Sequence, residues 1–298
     1  MRFTAIFILF FFLPPVVFSQ DEGTDYTWWN QLHNWHEGDP GWRNWIVISP
    51  GFLGPNALPV PEVKSGLLAE TIEAEITVSN HFSKGDPTKD ISGRFYYPFA
   101  RNSIAIEVYG VVVEYFAFSE EIRNERFSRI EDGKGFAAGD LYFSTLVQLS
   151  RGRKFPNTLL RMATKTASGS QLEGARFTDS PGYFFDLSCS KDLILSAPVI
   201  FRPLMMAGFY SWQTNDELNL QNDAFLYGAG AELEIDNWLL SSSVSGYSGY
   251  KNQRDRPVQW NVDVRKDWEN TAFRFRFIHG FRDYDYNTFR FSFIWKMN

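Results

Sequence analysis

The sequence predicts an all-β fold: a transmembrane, antiparallel, up-and-down β-barrel of about twelve strands. Three observations predict it. From about Leu67 to the C-terminus, stretches of alternating apolar and polar residues recur, a strand period rather than a helical one. The links between these stretches alternate in length. Aromatic residues make up 17% of the chain, with 29 Phe, yet the mean hydropathy is mildly negative. A membrane barrel satisfies both halves of that last observation, because each strand turns one greasy face to lipid and one polar face inward. After the N-terminal twenty residues there is no apolar stretch long enough for a spanning helix.

The N-terminus divides from the rest by composition. Arg2, an apolar run from Ile6 to Phe18, and the short residues Val16, Ser19 and Gln20 form the pattern of a cleaved secretory signal peptide, residues 1–19. No cysteine follows the run, so no lipoprotein anchor is expected. Residues 20–66 show no alternation. They carry Trp28, Trp29, Trp35, Trp42 and Trp45, then Pro50, Pro55, Pro59 and Pro61. Such a segment suits a periplasmic extension packed under the barrel, a plug inside it, or an anchor at the membrane interface, where Trp is favoured. Residues 67–298 form the barrel.

The strands follow in order. The first sets Ile72, Ala74, Ile76 and Val78 against Glu73, Glu75, Thr77 and Ser79, on opposite faces of a sheet. The second runs near Ile91–Ala100 and the third near Ser103–Ser119. The fourth sets Leu141, Phe143, Thr145, Val147 and Leu149 against Tyr142, Ser144 and Gln148. The fifth covers Thr158–Ala167, with Arg161, Ala163 and Lys165 on one side; the sixth covers Gly182–Ser190. The seventh lies within Leu193–Trp212, where Pro198 and Pro203 weaken the pattern because neither can donate to a ladder. In the eighth, Phe225, Tyr227, Ala229, Ala231 and Leu233 face away from Glu232 and Glu234. The ninth spans Trp238–Tyr250. The tenth alternates Val258, Trp260, Val262 and Val264 with Gln259, Asn261, Asp263 and Arg265. The eleventh alternates Phe273, Phe275 and Phe277 with Arg274 and Arg276, and the last spans Thr288–Asn298.

Ser83–Asp90, Glu120–Ala138, Ser168–Pro181, Gln213–Asn222, Lys251–Pro257 and His279–Asn287 are the longer links. Arg101–Asn102, Arg151–Asn157, Lys191–Asp192, Asp236–Asn237 and Asp267–Asn270 are the shorter ones. Short turns on one side and longer loops on the other, with an even strand count, are the habit of such barrels.

The final segment resembles the terminal strand of Gram-negative outer-membrane β-barrel proteins, porin- and transporter-like. Phe289, Phe291, Phe293 and Trp295 occupy alternate positions, as in that group, although the chain finishes on Lys296, Met297 and Asn298. The resemblance implies location in the bacterial outer membrane, contact with its lipid, and recognition of the last strand by the barrel assembly machinery. It does not imply a substrate.

Closure would pair the last strand with the first, bringing Arg290 and Ser292 near Glu73 and Glu75, with Arg274 and Arg276 one strand further on; opposite charges there would hold the seam. The same residues are candidates to line a pore: Arg161, Lys165, Arg274 and Arg276 as a basic patch, Glu107, Glu232 and Glu234 as an acidic one, since charged rings set ion preference. A lipid-modifying hydrolase needs a nucleophile beside a base. His81 and His279, near Ser79, Ser83 and Asp283, fall at strand ends, but no motif orders them. His33 and His36 with Glu37 and Asp39 make too sparse a set for a metal signature. No phosphate-binding Gly loop, zinc motif or nucleotide fingerprint occurs, so no cofactor is expected. The lone Cys189 is expected as a small wall residue, and a net charge of −6 argues against nucleic acid as a partner. The expected function is a channel or transporter for small solutes. A structural or surface-interaction barrel without an open pore, and a lipid-modifying hydrolase, are the alternatives.

Overall fold

The computed structural model describes residues 24–100, 103–152, 154–196 and 198–297. The expected signal peptide, residues 1–19, and the expected link Arg101–Asn102 lie outside the described residues. The chain divides into residues 1–35 and 36–298. In the first, a short helix, α1 (Thr27–His33), packs the Trp29 ring against the tilted His33 ring at 4.8 Å and ends at Asn34 in the left-handed conformation.

The second unit is a closed barrel of twelve antiparallel strands: β1 (Ile72–Phe82), β2 (Thr88–Pro98), β3 (Ile104–Ala117), β4 (Leu141–Ser150), β5 (Asn157–Lys165), β6 (Gly182–Ser190), β7 (Val199–Gln213), β8 (Gln221–Ile235), β9 (Trp238–Gly249), β10 (Val258–Asp267), β11 (Thr271–Arg282) and β12 (Asn287–Met297). Each pairs with its sequence neighbour, and β12 closes on β1 from Ile72↔Met297 to Phe82↔Asn287. Closure leaves no edge, so every strand's amides find partners without water. Two short strands, Lys134–Ala137 and Leu193–Ser196, pair with β3 and β7 at its two ends. The seventh predicted strand therefore splits: Pro198 lies in the bend and Pro203 sits within β7, opposite Ala231.

The length alternation of the links is less regular than expected. β1, β2, β11 and β12 continue further than their patterns suggested, so the loops 83–87 and 283–286 are short, while the turn 191–198 is longer than Lys191–Asp192. The longest loop, 118–140, holds a one-and-a-half-turn helix, α2 (Glu120–Glu125). Ser119 caps it by accepting from the Ile122 amide at 3.4 Å, with Glu120 and Glu121 in its first turn.

The outward face is apolar as the alternation predicts. Ile76, Phe143, Met162, Phe185, Met205, Phe225, Phe273 and Phe291 are exposed, Phe291 at 59%. A band of this kind around a whole barrel is suited to hydrocarbon and not to water.

The interior is not uniformly polar. β4–β9 turn Tyr142, Ala163, Phe184, Leu204, Met206, Tyr210, Trp212, Leu226 and Tyr247 inward. These pack with Ile46, Ile48, Leu53, Ala57, Leu58, Val60 and Val63 into one buried cluster. Residues 46–68 thus run inside the barrel. The Trp212 indole donates to Ile48 O at 3.1 Å and the Tyr247 hydroxyl to Leu58 O at 2.8 Å. The segment begins among the loops, where the Gly51 amide donates to Arg254 O and the Gly54 amide to Ala175 O. It leaves among the turns, where Gln148 donates to Gly66 O at 2.7 Å and Arg151 to Leu68 O at 2.9 Å. Gly66 has φ +75, and an added Cβ would lie 2.9 Å from Asn157 O, so the exit bend requires glycine. The apolar side chains of residues 46–63 pack on the inward face of β4–β9, and Leu68 packs with Tyr96, Ala105, Leu146 and Leu159.

Candidate functional site: the lumen

The other half of the wall, β10–β12 and β1–β3, carries the larger group of charged residues around the remaining space, while β5–β8 carry buried charged residues of their own. Alternation aims Glu73 and Glu75 (β1), Arg94 (β2), Glu107 (β3), Asp263 and Arg265 (β10), Arg274 and Arg276 (β11) and Arg290 (β12) at the lumen. With residues 56–69 they enclose a cavity of ≈ 370 Å³. The luminal segment reaches across to this wall as well. Glu62 pairs with Arg274 at 2.6 Å and Arg276 at 2.8 Å, Lys64 with Glu107 at 3.2 Å, and Asn56 donates to Asp90 at 3.0 Å and Glu114 at 2.8 Å.

All ten predicted lumen residues lie on the inward positions of their strands, but the groupings differ from expectation. The seam charges do not pair across β12 and β1. Thr77 faces Ser292, their hydroxyls 2.7 Å apart, and Arg290 instead donates to Asn56 Oδ1 at 3.4 Å. Glu73 and Glu75 are held by Arg94, at 2.5 and 2.8 Å, and Glu73 also by Arg265 at 2.8 Å. Arg274 and Arg276 share Asp263.

The expected basic patch does not form. Arg161 is buried against Asp186 at 2.7 Å and over the Phe184 ring. Lys165 is buried against Asp140 at 2.7 Å. The expected acidic patch divides too: Glu107 belongs to the β3 wall, whereas Glu232 and Glu234 bind Arg202 at 3.0 and 3.3 Å on β7–β8. The physical reason is common to all: a carboxylate or guanidinium removed from water must be neutralised locally, so like charges do not collect unless counter-charges intervene.

The loop end is closed by a second network that sequence reasoning missed. Arg176 is fully buried. It donates to both Asp86 oxygens at 2.9 Å, to Glu114 at 2.8 Å and to Thr88 at 2.9 Å, and lies over the Phe116 ring. Arg126 donates to Asp86 at 2.7 Å, and Tyr286 also donates to Asp86. These residues come from four loops and two strands. Burial would raise the Asp86 carboxyl, but the charges of Arg176 and Arg126 outweigh it and hold it down at about 2. No local motif marks this network; only Asp86 and Arg176 standing in polar loops could have hinted at it.

The two histidines expected near the strand ends lie apart, on opposite faces of the wall. His81 points inward, Nε2 2.6 Å from Asp90 and Nδ1 2.8 Å from Thr288 Oγ1, all buried. His279 meets Asn287 at 2.7 Å, on the far side of the wall from His81. Phe289, Phe291, Phe293 and Trp295 all face outward and exposed. Cys189 is a half-buried wall residue of β6.

No protein-family model and no curated protein matches the sequence. Among solved structures, the chain is similar to an outer membrane channel from Pseudomonas putida F1, with 10% identity, 88% of this chain and 100% of that chain covered, and a TM-score of 0.56. It is also similar, at TM-score 0.48 and 8% identity over 75% of this chain and 99% of that chain, to the KdgM porin in complex with disordered oligogalacturonate. The beta domain of the Bordetella autotransporter BrkA gives TM-score 0.45 and 10% identity over 76% of this chain and 99% of that chain. The closed twelve-strand barrel, apolar outside and enclosing a charged cavity, gives this chain the fold of outer-membrane β-barrel proteins.

Proposed function

We propose that the protein is an outer-membrane channel for small solutes, held narrow by its own residues 46–68. The observation that carries this reading is the asymmetric filling of the lumen. Residues 46–63 are packed on β4–β9, and the remaining space lies mainly along β10–β3, lined by charge there and bordered on its other side by Leu159, Arg161, Phe184 and Glu232. A hydrated charged strip beside a displaceable segment is the arrangement of a pore plugged by added chain. The outward aromatic band and the alternating last strand support residence in the outer membrane and recognition of Phe289, Phe291, Phe293 and Trp295 by the barrel assembly machinery. The reading is tested by bilayer conductance of the full-length protein against a variant lacking residues 24–60. Full-length protein should pass small currents and the deletion variant clearly larger ones. Dense luminal packing favours, as second reading, a barrel without an open pore, and conductance at background for both proteins would decide for it.

A further inference from the structure

The cavity beside the charged wall is chemically lopsided in a way its ion pairing conceals. On the side chains of Arg94, Arg265 and Arg274, 20%, 21% and 19% of the surface stays accessible, against 3%, 3% and 10% for Glu73, Glu107 and Asp263. Glu62 at 35%, engaged by both Arg274 and Arg276, and Asp267 at 31%, engaged by Arg265, are the exceptions. Water in the cavity therefore meets guanidinium groups, with most carboxylates behind them. A guanidinium has five N–H donors, and the carboxylates occupy only some. Among the described residues, the Nη1 groups of Arg265 and Arg274 make no hydrogen bond. Among the described residues, Arg290 has no carboxylate within ion-pair distance, and its buried Nε has no hydrogen-bond partner.

The register adds an independent observation. Arg265 stands directly opposite Arg274, and Arg276 directly opposite Arg290, so three adjacent strands carry two like-charge pairs. Directly opposed like charges destabilise a sheet; Glu73, Asp263 and Glu62 offset part of that cost, and a further anion would offset more.

We propose that this cavity binds a small oxyanion, a carboxylate or a phosphate group, through Arg265, Arg274 and Arg290. The proposal deepens the channel reading, and rests on it for the anion's being the cargo. The planar fork of arginine matches both carboxylate and phosphate geometry. A volume of ≈ 370 Å³ confines the occupant to small molecules.

The test is calorimetric titration of the folded full-length protein in non-ionic detergent with sodium phosphate and, separately, sodium succinate, at ionic strength held constant with sodium chloride. Magnesium chloride serves as the cation control. At least one of the two anions binds, and which one identifies the preferred geometry. Arg290→Gln weakens binding roughly tenfold or more, the worth of one charge-assisted hydrogen bond. Arg43→Gln, at the loop end beside Asp179, leaves binding unchanged. If heat-modifiable mobility shows that Arg290→Gln does not fold, Arg265→Gln replaces it with the same expectation. Binding of neither anion, indifference to the arginine substitutions, or preferential binding of magnesium overturns the proposal. Titration reads binding without current, so background conductance with intact binding would remove the channel reading alone.

Discussion

The two halves of the barrel wall face one lumen and share one alternating pattern, yet their inner surfaces are opposites. β4–β9 turn Phe184, Tyr210, Trp212 and Tyr247 inward, the last three packed edge to face at 5.2–5.5 Å, and residues 46–63 cover them. β10–β12 and β1–β3 turn Asp263, Arg274, Glu73 and Arg94 inward and border a cavity of ≈ 370 Å³. Strand period decides which residues point in. Whether the inside is dry or wet is decided by a segment that belongs to no strand. The apolar half is stabilised by burial of large side chains. The charged half is a set of neutralised ions whose net worth is small when intact.

That contrast can be broken most directly by substitution. Trp212→Ala removes a fully buried indole and its bond to Ile48, and should cost about 3–5 kcal/mol of unfolding free energy in urea titrations in vesicles. Ser292→Ala, which loses the hydroxyl contact with Thr77 on the charged half, should cost about 1 kcal/mol. Equal losses would show that the two walls do not differ in how they hold the barrel.

Acid sharpens the comparison at the loop end. Asp86 is held at about 2, below its unfolded value near 4, so its contribution is fully present above about pH 4 and is lost as pH falls through about 2. The shift is worth about 2 kcal/mol. Heat denaturation in detergent should therefore show a steeper fall between pH 4 and pH 2 in the native protein than in Asp86→Asn. Parallel curves would remove Asp86 as the acid-sensitive tie.

The smallest effect is one of topology. The luminal pass carries the chain from the loop end to the turn end before β1. Around its start, Arg43 pairs with Asp179, Trp45 stacks on Phe127, and Asn215 donates to Ile46 O, all loop-side partners. In a Cys189→Ser background, an impermeant maleimide applied to intact cells should treat Glu37→Cys as it treats the loop variant Glu131→Cys, and unlike the turn variant Glu269→Cys. Labelling of Glu37→Cys together with Glu269→Cys would reverse the direction of the luminal pass.

Most of the strand framework was legible because alternation is local and survives without tertiary information. β6 lies within its expected limits, and β1, β9 and β10 within a few residues of theirs. β2 and β7 were harder, since Gly93 and Pro203 interrupt the pattern while pairing with β3 and β8 supports it. Asp263 and Arg265 were visible on the polar face of the tenth stretch, but not their partners. The Glu73–Arg265 pair joins strands remote in sequence and not adjacent in the sheet, and Glu62 and Lys64 lie in a segment with no period at all.

The sequence by itself determined the closed sheet and its greasy exterior, because a two-residue rhythm and the need to satisfy every backbone amide in lipid are properties of each strand and its neighbour. Only the tertiary structure decided what fills the lumen and which charges meet there. An aperiodic chain such as residues 46–68 is placed by the surface that can bury Leu53, Leu58 and Val60, and that surface exists only once six strands have curved around it.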